Sequence, residues 1–494
     1  MHLVRARREI LLYQRTWPAE HQHALAAGRL LCLGEGAGPR RLRASAAAMT
    51  QAGSLAGAAA GERAERSGHW LPVVLLFLFI YVISYIDRQI LSLVVQPVKA
   101  ALGLSDFQIG LLQGLAFSLV LAVAAVLASP LIDRGNRARL LGLCMILWCG
   151  MTVLCGLAHD FGMLLLARTG LALSEAVVPM AVMSMICDIA PKASVPRASA
   201  LFMAAPYIGS GFALLLGGPL LMALAPFEGV SVPMLGAFEP WRGLFFLLGI
   251  PGVAIGVLLL LFLREPARRG GADAGDPSAS VIPFLRDNAG FLAPMLLANA
   301  MLNLVSYTIY AWSPTLMIRA HGMSTATAGV TVGSIFVVAG IAGCVFGSWA
   351  MSRSRDGRAL SHVVRTIGLT FLCLGPPLIA FPLVPDADLA LVLLAVAFFL
   401  MAAGLSSIMT PVALFAPPGV RGRALAMAGL CHAGLGGLGP LAVGAVNDFV
   451  FGTPDRIGQS LAVCLAGAML VGLALLPRVI RLANRIDGPA DRSF

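Results

Sequence analysis

From Trp70 onward the apolar residues of this chain gather into twelve long segments separated by short polar connectors. The first six cover about 70–95, 106–130, 137–158, 160–187, 197–224 and 242–263. The second six cover about 291–318, 325–350, 361–383, 387–413, 421–450 and 457–480. Each is close to the ~20 residues that an α-helix needs to cross a bilayer. In segments of this length only a helix satisfies its own backbone across lipid. The pattern predicts an all-α membrane protein with twelve transmembrane helices.

The longest connector, 264–290, is charged and rich in Gly, Ala and Pro, and it divides the segments six and six. The predicted organisation is a six-helix half over 67–263, a cytoplasmic linker over 264–290, a second six-helix half over 291–483 and a cytoplasmic tail over 484–494. The halves also resemble each other. Arg197-x-x-Ala200-Leu201-x-Met203 opens the fifth segment and Arg421-x-x-Ala424-Leu425-x-Met427 the eleventh. With the equal helix counts, this supports two six-helix pseudo-repeats. Residues 1–66 are different: they hold ten arginines, five glutamates and an Ala/Gly/Ser tract that cannot build a core. They are expected to be a disordered cytoplasmic leader. Met49 is a candidate true start, which would make 1–48 a mis-assigned extension.

Composition supports the membrane reading. Hydrophobic residues make up 58% of the chain and charged residues 12%, about half the charged share of a soluble domain. The net charge of +11 does not point to nucleic acid, because the basic residues sit in the connectors. Fifteen Arg or Lys fall in connectors on one side, and four (Lys99, Arg242, Arg319 and Arg456) on the other. That bias places both termini and the linker in the cytoplasm. Arginine-rich, lysine-poor usage suggests a GC-rich bacterial genome, hence a bacterial inner membrane. The nine scattered cysteines form no C-x-x-C pair and read as small core residues, neither disulfides nor metal ligands.

The candidate chemistry lies in the few charges inside the apolar segments. Asp87 and Arg88 fall in the first, and Arg168 and Glu175 in the fourth. Seven residues of helix set Arg168 and Glu175 on one face, roughly 10 Å apart along the axis. A charge at mid-membrane costs on the order of 3 kcal/mol, so it normally faces a partner or a water-filled cavity. Two readings follow: a structural salt-bridge network, or a working polar pathway. Asn299, Asn303, Tyr307 and Tyr310 share one face of segment seven, as a cavity lining or as polar glue between helices. His432 is the clearest ionisable residue deep in the second half, as a packed histidine or a proton carrier. Gly434-x-Gly436-Gly437-x-Gly439 matches a dinucleotide pattern but lies inside an apolar helix, where small residues serve close packing. No H-E-x-x-H or G-x-S-x-G motif suggests an enzyme.

The connector after segment two reads Ala128-Ser129-Pro130-Leu131-Ile132-Asp133-Arg134-Gly135-Asn136-Arg137. It resembles the G-x-L-x-D-R-x-G-R-[RK] loop of the major facilitator superfamily at Leu131, Asp133, Arg134 and Arg137. Ser129 and Asn136 depart from it, and in the second half Ser352 stands where an aspartate would precede Arg353. Trp241-Arg242-Gly243, Trp312-Ser313-Pro314 and Gly439-Pro440-Leu441 resemble the family's sixth, seventh and eleventh helices. Asp87-Arg88 with Arg168 and Glu175 is most similar to the spinster-like group, although Ala172 and Ser174 replace two of its glycines. Anion:cation symporters share similar motifs.

The resemblance implies the major facilitator fold and a secondary active transporter working by alternating access as a monomer, without a cofactor or metal. It makes Asp133, Arg134 and Arg137 a cytoplasmic gating loop. The expected substrate is a lysolipid-like amphiphile or an organic anion, with an organic-acid symporter as the rival. Protons are the expected coupling ion. Asp87 is the candidate coupling group, switched by movement of Arg168, and Glu175 a second titrating or substrate-contacting group. Arg88, Asn299, Asn303, Tyr307, Tyr310 and His432 complete the candidate cavity.

Overall fold

The computed structural model describes residues 70–487 apart from 192, 233–235, 269–280, 354–358 and 407. The proposed leader, and the last seven residues of the tail, lie outside the described residues. Among those described, twelve helices are long and apolar enough to cross a membrane. The first six are α1 (Trp70–Leu93), α2 (Asp106–Ile132), α3 (Arg137–Leu157), α4 (Phe161–Ile189), α5 (Val195–Phe227) and α6 (Pro240–Phe262). The second six are α7 (Ala289–His321), α8 (Thr325–Met351), α9 (Leu360–Ala380), α10 (Ala387–Phe415), α11 (Val420–Phe451) and α12 (Pro454–Ile486).

These bounds follow the apolar blocks to within a few residues, with one instructive exception. α12 continues past 480 because its last turns are amphipathic. Val479 and Ala483 stay buried while Arg478, Arg481 and Arg485 are exposed. Polar residues ended the apolar block without ending the helix. The expected tail therefore starts inside a packed helix, where Arg365 donates to Asn484 and the Ser361 N–H donates to Asp487.

Three helices bend where proline removes a backbone bond. A proline frees the carbonyl four residues earlier. Pro179 frees that of Glu175, where α4 divides; Pro206 that of Phe202, where α5 divides; Pro440 that of Gly436, where α11 divides. The α4 bend falls at one of the buried carboxylates.

The two halves meet along α2 with α11 and α5 with α8. Glycine allows this approach. A methyl group at Gly110 would lie 2.4 Å from the Pro440 carbonyl oxygen, and one at Gly333 2.7 Å from that of Gly211. In the α11 glycine run, Gly437 serves such a contact, against Ser118 of α2, while Gly439 lets α11 approach Thr308 of α7 within the second half. Outward-facing apolar side chains such as Phe262 and Leu470 form the lipid-facing belt. The described cysteines are unpaired, three fully buried and two, Cys187 and Cys373, exposed.

Candidate functional site

A cavity of about 300 Å³ lies between the halves. α1 contributes Tyr85, Arg88 and Gln89, which at i, i+3 and i+4 share one helical face. α2 contributes Phe117 and Gln113, α4 Arg168, and α5 Tyr207 and Ser210. The opposite wall is Asn303, Ser306, Tyr307 and Tyr310 of α7, with Leu405 and Ile408 of α10. Both charged side chains in the lining belong to the first half. The second-half wall is neutral.

Arg88 Nε donates to Glu175 Oε2 at 2.5 Å; the carboxylate is fully buried and the guanidinium 16% exposed. Arg88 also lies over the Tyr85 ring, 4.8 Å from its centroid, and over Phe117 at 5.1 Å. Arg168 stands over the same Phe117 at 5.3 Å. One aromatic ring thus meets two guanidinium groups, contacts favoured by the ring quadrupole.

Arg168 holds no carboxylate. Its Nη1 donates to the Asp87 carbonyl oxygen at 3.1 Å and its Nη2 reaches that of Arg88 at 3.4 Å. These carbonyls already serve the α1 helix, and Arg168 uses their second lone pairs. The guanidinium partner of Glu175 is therefore Arg88. The seven-residue spacing on α4 sets both side chains toward α1 and not toward each other.

Asp87 does not line the cavity. One residue of helix turns a side chain by about 100°, so with Arg88 facing inward Asp87 points toward Trp148 and Thr152 of α3. It is fully buried, and neither carboxylate oxygen accepts a hydrogen bond among the described residues.

Three of the four polar residues on the α7 face line the cavity. Asn303 donates to the His432 carbonyl at 2.7 Å. Tyr310 packs edge-on against Phe336 and Phe398, and its carbonyl accepts from Gln89 across the halves at 2.6 Å. Asn299 lies one turn lower, in a separate narrow crevice, donating to the Ile408 carbonyl at 3.0 Å. His432 is buried beside α7, its ring nitrogens have no hydrogen-bond partner among the described residues, and its side chain is not part of the cavity lining.

Of the loop motif, Arg137 bonds within the first half and to the linker. Arg137 donates to Glu265 at 2.7 Å, to Asp188 at 2.5 Å and to Ser184 at 2.7 Å, joining α3, α4 and the start of the linker. Asn136 caps α3 by accepting from the Arg139 N–H. α2 runs on to Arg134, but the side chains of Asp133 and Arg134 lie outside the described residues.

The sequence reading missed Tyr85, Gln89, Gln113, Phe117 and Tyr207. For Tyr85 and Gln89 the signal was available in their spacing around Arg88. Phe117 and Tyr207 are aromatic residues in apolar helices, and nothing local distinguishes them from core.

The family model of the Major Facilitator Superfamily matches residues 77–440. An MFS-type efflux pump of Mycolicibacterium smegmatis is 29% identical over 422 residues, covering 83% of this chain and 93% of that protein. A probable L-galactonate transporter of Escherichia coli is 27% identical over 270 residues, 52% of this chain and 56% of that one. Among solved structures, a bacterial homologue of the human lysosomal transporter Spinster, inward-facing and unoccupied, superposes with a TM-score of 0.67 at 26% identity. It covers 86% of this chain and all of that one. With twelve apolar helices in two halves around a central cavity, the chain belongs to the major facilitator superfamily and is an integral, multi-pass membrane transporter.

Proposed function

We propose that this protein is a proton-coupled secondary transporter of a small organic anion, working by alternating access. One observation carries the reading: two arginines line the cavity and a single carboxylate, Glu175, pairs with one of them. The remaining guanidinium, that of Arg168, rests on carbonyl oxygens and on Phe117, so an incoming anion meets a cation without a competing carboxylate. A cavity of about 300 Å³ is at the small end of ligand sites. It suits a sugar acid or a compact aromatic acid whole, and of a lysolipid only the head group. The Escherichia coli relative named for L-galactonate transport agrees with this.

The second reading is a single-chain amphiphile, whose tail would leave the cavity between helices. The likeness to the Spinster homologue favours it. In both readings Asp87 carries the coupling proton, and Glu175 gives up Arg88 on taking a proton, which frees the guanidinium for substrate. The basic bias of the connectors supports a cytoplasmic side for both termini and the linker, in a bacterial inner membrane. The face closed by α2 with α11 is then the outer one, and the cavity faces inward. One chain encloses the cavity, so the working unit is the monomer.

The test is uptake into proteoliposomes with an imposed pH gradient. Saturable, gradient-driven accumulation of sugar acids, unaffected by lysolipids, is expected. Affinity that rises with each added methylene in a lysolipid series, with no competition by sugar acids, would replace the first reading by the second.

A further inference from the structure

A polar cluster bridging the two halves lies at the opposite ends of α2 and α11 from the basic connectors, outside the cavity. A capping box starts α2: Ser105 accepts from the Gln108 N–H at 3.2 Å, and Gln108 accepts from the Ser105 N–H at 2.9 Å. This fixes Asp106 as the first helical residue, fully buried. Arg319, at the end of α7, grips it with both terminal nitrogens, each at 2.8 Å. Asn447 of α11 donates to the same carboxylate at 2.7 Å, and Ser460 of α12 holds Asn447 in place at 3.0 Å. Lys99 bonds the carboxylate from the first half. The Gln96 oxygen, in the amide orientation that satisfies both groups, accepts from Arg319 Nε at 2.6 Å.

A second carboxylate runs the other way. Asp448 of α11 accepts from the Phe107 N–H at 2.6 Å. That N–H is one of the donors that α2 cannot satisfy internally, at its positive end. α11 ends in a π-helical turn, Val446–Phe451, which sets Asn447 and Asp448 side by side against α2.

We propose that Asp106 and Asp448 form a reciprocal latch that holds this face shut, and that its opening is a required step of each transport cycle. Each half presents one carboxylate to donors of the other. Charge-assisted bonds of this kind are the strong ones, and excluded water strengthens them further. Substrate need not touch any of these groups. The inference rests on alternating access and is independent of the substrate class.

The test uses full-length protein in lipid nanodiscs with Cys32, Cys187 and Cys373 replaced by serine. Spin labels are placed at the exposed positions Ala101 and Thr453, on either side of the latch. Pulsed dipolar spectroscopy then reads their separation without any substrate. One short distance is expected for the otherwise unaltered protein. Asp106→Asn and Asp448→Ala should each add a longer distance, with the closed-to-open ratio falling roughly tenfold or more. Asp448 is only partly buried, so its variant keeps the test decisive if Asp106→Asn folds poorly. Arg242→Gln is the control: it breaks buried bonds to Glu239 and to the carbonyls of Gly156 and Ala158, all within the first half, and should leave the distance unchanged. An unaltered distribution in Asp448→Ala, equal opening in Arg242→Gln, or a parent protein already at the longer distance would overturn the proposal.

Discussion

The Arg88–Glu175 pair makes a quantitative prediction. Glu175→Gln removes the negative end of a pair whose carboxylate is fully buried. Breaking one side of a buried ion pair typically costs about 3–5 kcal/mol, because the other charge stays behind without compensation. Arg88 keeps 16% exposure toward the cavity, and the Tyr85 and Phe117 faces still hold it, so the lower end, about 3 kcal/mol, applies. Arg88→Gln should cost as much, since it strands a carboxylate whose other oxygen already lacks a partner. In the double variant no charge is stranded, and two amides of similar shape replace the pair. Its cost should be about 1 kcal/mol or less, which makes the coupling energy several kcal/mol.

The assay is thermal unfolding of the four proteins in one detergent. In a chain of this size 1 kcal/mol corresponds to roughly 1–2 °C. Each single variant should lose several degrees, and the double variant should recover most of the loss. Losses that simply add would show that the pair is not a unit, and the role of Glu175 in releasing Arg88 on protonation would fall with it.

Three further outcomes are expected. Asp87→Asn should abolish accumulation against a gradient but keep counterflow exchange, which needs no net proton movement; intact uphill transport would exclude Asp87 as the coupling group. Arg168→Ala should lose most transport and Arg168→Lys regain only part, as read from initial uptake rates. The Arg168 fork reaches two successive carbonyls, which a point charge cannot do. A monocarboxylate should compete for transport at least several-fold better than a dicarboxylate of equal length; equal competition would mean that the second wall also supplies a cation.

The fold was legible because membrane helices announce themselves by length and hydropathy, and because the linker divides them evenly. The buried charges were legible for a related reason: Asp87, Arg88, Arg168 and Glu175 stand out against apolar neighbours. Their partners were not. Helical spacing places Arg168 and Glu175 on one face of α4, yet which carboxylate meets which guanidinium depends on the rotation of α4 about its axis against α1. The rotation of α1 turns Asp87 toward α3, and that of α4 gives Glu175 to Arg88. The same limit applies to Asn299, which shares a helical face with Asn303 but is one turn too low to reach the cavity. Lys99 and Arg319 read as ordinary loop charges because they lie at helix ends, where charge is cheap. Only the fold, which sets the start of α2 between the Lys99 turn and the end of α7, makes Asp106 their common partner.

The two halves share a frame and differ in chemistry, and that difference bears on the substrate. Gly103 and Gly322, 219 residues apart, both adopt left-handed backbone, with φ of 63° and 64°, ahead of a span. Ser105 and Ser324, at the same spacing, both cap the next helix. Asp160 and Asp386 cap α4 and α10 alike. The α2–α11 contact is matched by the α8–α5 contact, as exchange of the halves requires. On this frame the counterpart of Arg88 is Tyr307, 219 residues on, and both line the cavity. Counting from the two capping aspartates, Arg168 corresponds to Leu394 and Glu175 to Met401, both fully buried. Each charge of the first half is thus answered by a neutral or apolar residue in the second. Nothing in the backbone forces this, since the same positions exist twice. A ligand that spans the cavity therefore meets cations at one end only. A second carboxylate would press against Tyr307 and Tyr310, where it would lose hydration and gain at most neutral hydrogen bonds, which is why a ligand charged at one end is expected to compete better than one charged at both.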